Sequence, residues 1–144
     1  MREIKFRVWD NVEKAYLNEK DIAIDSLGSI FIIEGYDHND SELWYARLLP
    51  DLDNKRHVIE QYTGLKDKNG RDIYEGDIVK YYPRHNGVPY RVYWANESAK
   101  FLIGRKGVVG QELSSVMYNL DTGRILLEVI GNVHENPELL EEEK

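Results

Sequence analysis

Gln61-Tyr62-Thr63-Gly64-Leu65-Lys66-Asp67-Lys68-Asn69-Gly70-Arg71-Asp72-Ile73-Tyr74-Glu75-Gly76-Asp77-Ile78-Val79 is the stretch that decides the fold. It sets turn signals between short runs of strand formers. Thr63-Gly64 and Asp67-Lys68-Asn69-Gly70 carry turn chemistry, and Asn-Gly favours the positive backbone angles of tight hairpins. Asp72 to Tyr82 then divides into two strand pieces around Glu75-Gly76, where Gly76 suits a bulge or a sharp bend. Such spacing is that of hairpins.

The same pattern extends outward in both directions. Val58 to Tyr62 leads into the block as a strand. Further upstream, Ile4, Phe6 and Val8 alternate with Glu3, Lys5 and Arg7, which is the period of a half-buried strand. Asp10-Asn11 predicts a turn, with Ala15 to Leu17 returning as its partner. Ile22 to Ile24 and Ser29 to Ile33 flank a second turn at Leu27-Gly28. Gly35 to Ser41 reads as a polar loop, and Leu43 to Leu49 fits a buried strand or a short helix equally well. Asp51 to Lys55 is a turn, and a boundary is expected near residues 50 to 56.

Downstream, Pro83 to Pro89 is a loop. Tyr90 to Trp94 and Ala99 to Ile103 form a hairpin pair, and Gly104-Arg105-Lys106-Gly107 is a basic tight turn. Glu112 to Leu120 holds a short helix, and Ile125 to Val133 is a strand bent at Gly131. Asn136-Pro137 opens a last short helix, since Asn is a favoured cap and Pro suits the first helical position.

Composition narrows the function classes. A chain of 144 residues is long enough for a real core, at roughly 70% of its unfolded surface buried. With no cysteine, disulfide scaffolds, Cys-ligated zinc and thiol catalysis are excluded. The N-terminal charges precede no apolar run, and no stretch is apolar enough to span a membrane, so the chain reads as cytoplasmic. Net charge is -7, which opposes a general nucleic-acid coat. Residues 80 to 106 nevertheless carry six basic groups against the single acid Glu97. That asymmetry points to an anionic or acidic partner.

The 61 to 79 block resembles the signature block of YopX-like proteins. Arg2 to Asp10 and Val129 to Leu140 are similar to that family as well, so the likeness spans the chain in the right order. The resemblance implies a phage or prophage protein with a mostly β fold whose C-terminal part is similar to an SH3-type barrel. It implies no established activity and transfers no functional residues. The expected architecture is therefore mainly β (β-rich α+β), with N-terminal β-hairpins, a C-terminal SH3-like small barrel and short helices. One YopX-like domain should cover residues 1–144, with sub-lobes at 1–55 and 56–144. Ile73, Ile78, Val92, Phe101, Leu127 and Val129 are expected in one core.

Weighed singly, the chemical motifs favour architecture. Counted from Asp67, a calcium loop would need an oxygen ligand fifth and Gly sixth; Arg71 and a fourth-position Gly70 stand there instead. Glu60, Glu75 and Asp77 could supply a carboxylate pair, but acids beside Gly are usually turn residues. His38, His57, His85 and His134 lack metal-seeding spacing. Gly104-x-x-Gly107-x-x-Gly110 lacks the residues of a phosphate loop and reads as a flexible hairpin.

The sharpest functional hint is the basic, aromatic stretch. Lys80, Tyr82, Arg84, His85, Arg91, Trp94, Arg105 and Lys106 are the candidate partner-binding residues. No cofactor, metal or catalytic residue is expected. The expected role is non-catalytic, through a protein partner or homo-oligomer. Nucleic acid held by basic groups and stacking aromatics is the alternative, and an enzyme would need His85 or His134 to converge with carboxylates in a cleft.

Overall fold

The computed structural model describes residues 2–37, 40–49, 56–81 and 87–141, with the backbone alone for residues 34–37 and 40–46. The strands are β1 (Phe6–Asp10), β2 (Ala15–Tyr16), β3 (Ile22–Ile24), β4 (Ile30–Asp37), β5 (Asp40–Leu48), β6 (His57–Lys66), β7 (Asp72–Tyr74), β8 (Asp77–Tyr81), β9 (Pro89–Ala95), β10 (Lys100–Arg105), β11 (Val108–Glu112) and β12 (Leu127–Asn132). One α-helix, α1 (Leu113–Val116), and two 3-10 turns (Glu19–Asp21 and Pro137–Leu140) complete the described elements. The β-rich class follows from the sequence pattern. Among the described residues, no helix is long and apolar enough to cross a membrane.

The chain divides into two compact units: Phe6–Ile59, and Met1–Lys5 together with Glu60–Lys144. In the first, β1 and β2 pair antiparallel with Trp9 opposite Tyr16, and their rings meet edge to face at 5.0 Å. β3, β4 and β5 form an antiparallel sheet in that order. Leu43 to Leu48 is thus strand, and Leu49 lies just beyond it. The loop expected from Gly35 to Ser41 is strand too, with residues 38 and 39 outside the described residues. The ladder survives Gly35 because its register slips between Ile33 and Gly35 and again between Tyr36 and Asp37; a bulge absorbs the extra residue. Residues 50–55 lie outside the described residues.

The second unit carries the site. β6 pairs with β7, Tyr62 opposite Tyr74 and Lys66 opposite Asp72. Thr63-Gly64, expected as a turn, lies inside β6 at the irregularity between those two pairs, and Gly64 takes φ +88° there. The Asp67–Gly70 turn forms as expected, with the Gly70 N–H donating to the Asp67 carbonyl at 3.0 Å. The main sheet is antiparallel in the order β11-β10-β9-β8-β12. β12 shifts register between Val129 and Gly131, the bend its glycine suggested.

One face of this sheet buries the core: Ile73, Val79, Tyr81, Val92, Ile103, Leu113, Met117, Leu127 and Val129 among others, with Phe101 packed partly buried against it. Ile78 is fully buried but outside that cluster. Strand alternation explains the difference, since its neighbour Val79 takes the core face. Two further expectations change. Gly104 and Arg105 belong to β10, so the basic turn shrinks to Lys106-Gly107. The last helix is a single 3-10 turn whose Asn136 makes no side-chain cap bond; its Oδ1 instead accepts the Asn132 N–H at 3.3 Å.

Candidate functional site: a basic aromatic groove

β9 and β10 pair with Arg91 opposite Gly104, Tyr93 opposite Leu102 and Trp94 opposite Phe101. Alternation turns Tyr90 and Val92 into the core and leaves Arg91 and Tyr93 on the other face. A groove of about 590 Å³ opens there, lined by Arg91, Tyr93, Trp94, Gly104, Arg105, Lys106, Val108 and Leu140. Three cations thus share a space with aromatic and aliphatic walls. No carboxylate stands among the lining residues.

The glycine-rich motif builds this groove. A Cβ on Gly104 would come within 3.0 Å of Tyr93 Cε1, and one on Gly110 would overlap the Tyr93 hydroxyl. The Tyr93 ring therefore lies across β10 and β11 on a bed that only glycine leaves open. Gly107, at φ +79°, supplies the turn between those strands. The ladder slips between Ile103 and Arg105, and the extra residue lies on β11, where the three steps from Gln111 to Val108 face two on β10.

Four of the sequence candidates, Arg91, Trp94, Arg105 and Lys106, come together here. Trp94 contributes to the lining, yet its ring stands edge-on to Phe101 at 4.9 Å and stays 42% exposed. Lys80 does not line the groove; it sits on β8 opposite Glu128 and Pro89. Tyr82, Arg84 and His85 lie outside the described residues. Sequence reasoning missed Leu140, which no local pattern ties to β9. It also left Tyr93 out of the candidate set, although the glycines on the next two strands are its signal.

The described acids and histidines of these motifs are engaged elsewhere, and His38 and His85 lie outside the described residues. Glu60 is buried on β6, and His134 Nε2 lies 3.2 Å from its Oε2. Gly76, at φ +82°, passes so close beneath that a Cβ would overlap the Glu60 carboxylate. Of the histidines weighed for catalysis, His134 does therefore reach a carboxylate, in a largely buried pair outside the groove lining. Glu75 Oε1 accepts the Gln61 N–H at 2.8 Å, and Asp77 Oδ2 accepts the Tyr74 N–H at 2.8 Å. Asp67, 1% exposed, accepts the N–H groups of Asn69 and Arg71 on one oxygen and that of Val129 on the other. In the other unit His57 Nε2 stands 3.7 Å from Asp10 Oδ2. Among the described residues no group of three or more His, Cys, Asp or Glu could hold a metal ion.

Comparison with known proteins gives a family and two similar structures. The family model described as YopX protein matches residues 5–141. Protein EF1440 from Enterococcus faecalis is 32% identical, with 98% of this chain and 100% of that one covered at a TM-score of 0.61. Protein yopX from Bacillus subtilis is 23% identical over the same shares at a TM-score of 0.61, a likeness of fold. No curated protein matches the chain.

Proposed function

The chain belongs to the YopX family, and on that premise we propose that it is a phage or prophage accessory protein that works without catalysis, by binding an acidic protein segment or further copies of itself. The observation that carries this reading is the groove. Arg91, Arg105 and Lys106 converge on it beside Tyr93, Val108 and Leu140, a combination that suits carboxylates interspersed with apolar side chains. Side chains of both kinds gain there, the charges in specificity and the apolar groups in buried area. The lack of cysteine supports a place in the cytoplasm of a bacterial host, and the five-stranded sheet supports the SH3-like small-barrel reading of residues 56–144.

A labelled peptide of alternating Glu and Leu, titrated with the protein and followed by fluorescence anisotropy, tests the groove. Arg91→Glu and Arg105→Glu should each weaken binding by at least about tenfold, in the range that reversing a charge at an interface costs, with melting temperature unchanged. Absence of binding at low salt, or binding indifferent to both reversals, would refute the reading.

A second reading has one observation in its favour. Tyr93 lines a groove that holds three cations, the pairing of aromatic and basic groups that single-strand binders use. It predicts retention of a single-stranded oligonucleotide that falls steeply with salt and is lost in Arg105→Glu.

A further inference from the structure

The chain itself runs past the groove. The 3-10 turn Pro137–Leu140 packs against β9, and its last residue, Leu140, forms part of the groove wall. Glu141 caps that turn. Its N–H donates to the Glu138 carbonyl at 3.2 Å, and its backbone is extended, at φ -71° and ψ 135°. The sequence continues Glu142-Glu143-Lys144, outside the described residues.

Charge decides what such a segment meets. Lys66, Lys68 and Lys100 of the same unit each stand within 3.2 Å of an acid, respectively Asp72, Glu128 and Glu112. Among the described residues, Arg91, Arg105 and Lys106 have no such partner, nor does the exposed carboxylate of Glu141. Like charges gathered in one concave space focus a positive potential there. Three successive carboxylates, Glu141 to Glu143, begin one residue past the wall that Leu140 forms. Extended chain reaches about 3.3–3.6 Å per residue, so these three span roughly 10 Å. The groove, at about 590 Å³, is of the size that takes a small ligand whole.

We propose that Glu141-Glu142-Glu143 folds over the groove and occupies it as a built-in competitor, which an acidic partner must displace. The proposal rests on the groove reading above and adds its regulation. Exposed ion pairs are individually weak. Here the competitor is tethered, and a short tether holds it at millimolar effective concentration. Leu140 is already seated, so only the residues beyond it lose freedom on docking. The groove is thereby closed to weak acidic ligands and open to those that bind more tightly than the chain's own glutamates.

Two measurements on the full chain test this. The chain has no cysteine, so Lys144→Cys carries a single nitroxide label and leaves the three acids intact. At low salt the label should broaden the amide resonances of Arg91, Tyr93, Arg105 and Lys106. Arg105→Glu or added salt should relieve that broadening. Absence of broadening at these amides overturns the proposal. Equal broadening in unlabelled, isotope-enriched chains mixed with labelled ones also overturns it, because the tail of a second copy is then the occupant. The Glu/Leu peptide supplies the second measurement. Glu141→Gln, Glu142→Gln and Glu143→Gln together should raise its affinity roughly threefold or more, because apparent affinity scales with the fraction of grooves left open. Glu13→Gln, Glu19→Gln and Asp21→Asn together remove the same charge from exposed positions of the other unit and should leave the affinity unchanged. No gain in the tail variant, or an equal gain in both, overturns the competitor, while peptide binding itself upholds the groove reading. If the peptide binds neither the wild type nor the tail variant, the groove reading falls, and the broadening alone decides the tail.

Discussion

Gly76 shows how a missing side chain can organise its neighbours. Its N–H donates to the Val92 carbonyl at 2.9 Å and its carbonyl accepts the Val133 N–H at 2.8 Å, so the backbone there ties β9 to the end of β12 while leaving room for Glu60. Gly70 also takes a positive φ, +81°, but faces open space. Both positions should resent alanine, by about 1 kcal/mol or more from backbone strain. Gly76→Ala should cost clearly more than Gly70→Ala in urea denaturation, because only there must Glu60 move. Equal costs would mean the Glu60 contact carries no weight. Asp10 is the other residue with a measurable signature. Arg56 donates to both its oxygens, at 3.1 and 3.0 Å, and the N–H groups of Val12 and Glu13 add to one of them. The Arg56 guanidinium, first among these, holds the carboxyl down at about 2. A depressed carboxyl stabilises the fold above its ordinary value and loses that contribution as pH falls through the folded one. Stability should therefore drop by about 2 kcal/mol between pH ~5 and pH ~2 from this group. Asp10→Asn should remove that component of the acid dependence and lower the urea midpoint at neutral pH.

At the scale of elements, β8 is the strand whose two faces are both committed. Val79 and Tyr81 enter the core cluster, while Ile78 is buried at 0% exposure on the other side. Ile78→Asp should unfold the protein, since an unpaired buried carboxylate adds a desolvation penalty of several kcal/mol to the lost packing. Ile78→Val should cost about 1 kcal/mol. Retention of the wild-type melting temperature by Ile78→Asp would contradict the burial. The element scale is also where turn chemistry misled. Gly64 and Gly35 carry the residue type of a turn, yet each sits within a strand whose register slips around it. A glycine needed for a bulge and a glycine needed for a reversal look alike until the partner strand is known.

For the whole molecule, charge placement matters more than total charge. The chain carries -7 while its groove gathers three cations, so an anionic ligand is drawn locally and repelled at distance. Affinity for the Glu/Leu peptide should fall several-fold as salt passes physiological strength, where screening acts within about 8 Å; the anisotropy titration repeated across salt checks this. The sequence by itself determined the β class, the turn at Asp67–Gly70, the break at Gly76 and the hairpin of β9 and β10. Each of these follows from period-two patterning or from local backbone preference, which need no distant partner. It also marked Arg91, Trp94, Arg105 and Lys106, among eight residues of the basic aromatic stretch 80 to 106, because basic groups and aromatics interleave there. Only the tertiary structure decided that Leu140 completes the groove, that Tyr93 lies over Gly104 and Gly110, that Ile78 is buried away from the main core, and that Glu60 meets His134 above Gly76. Those meetings depend on strand order, register and bulges, which are set by the packing of the whole sheet.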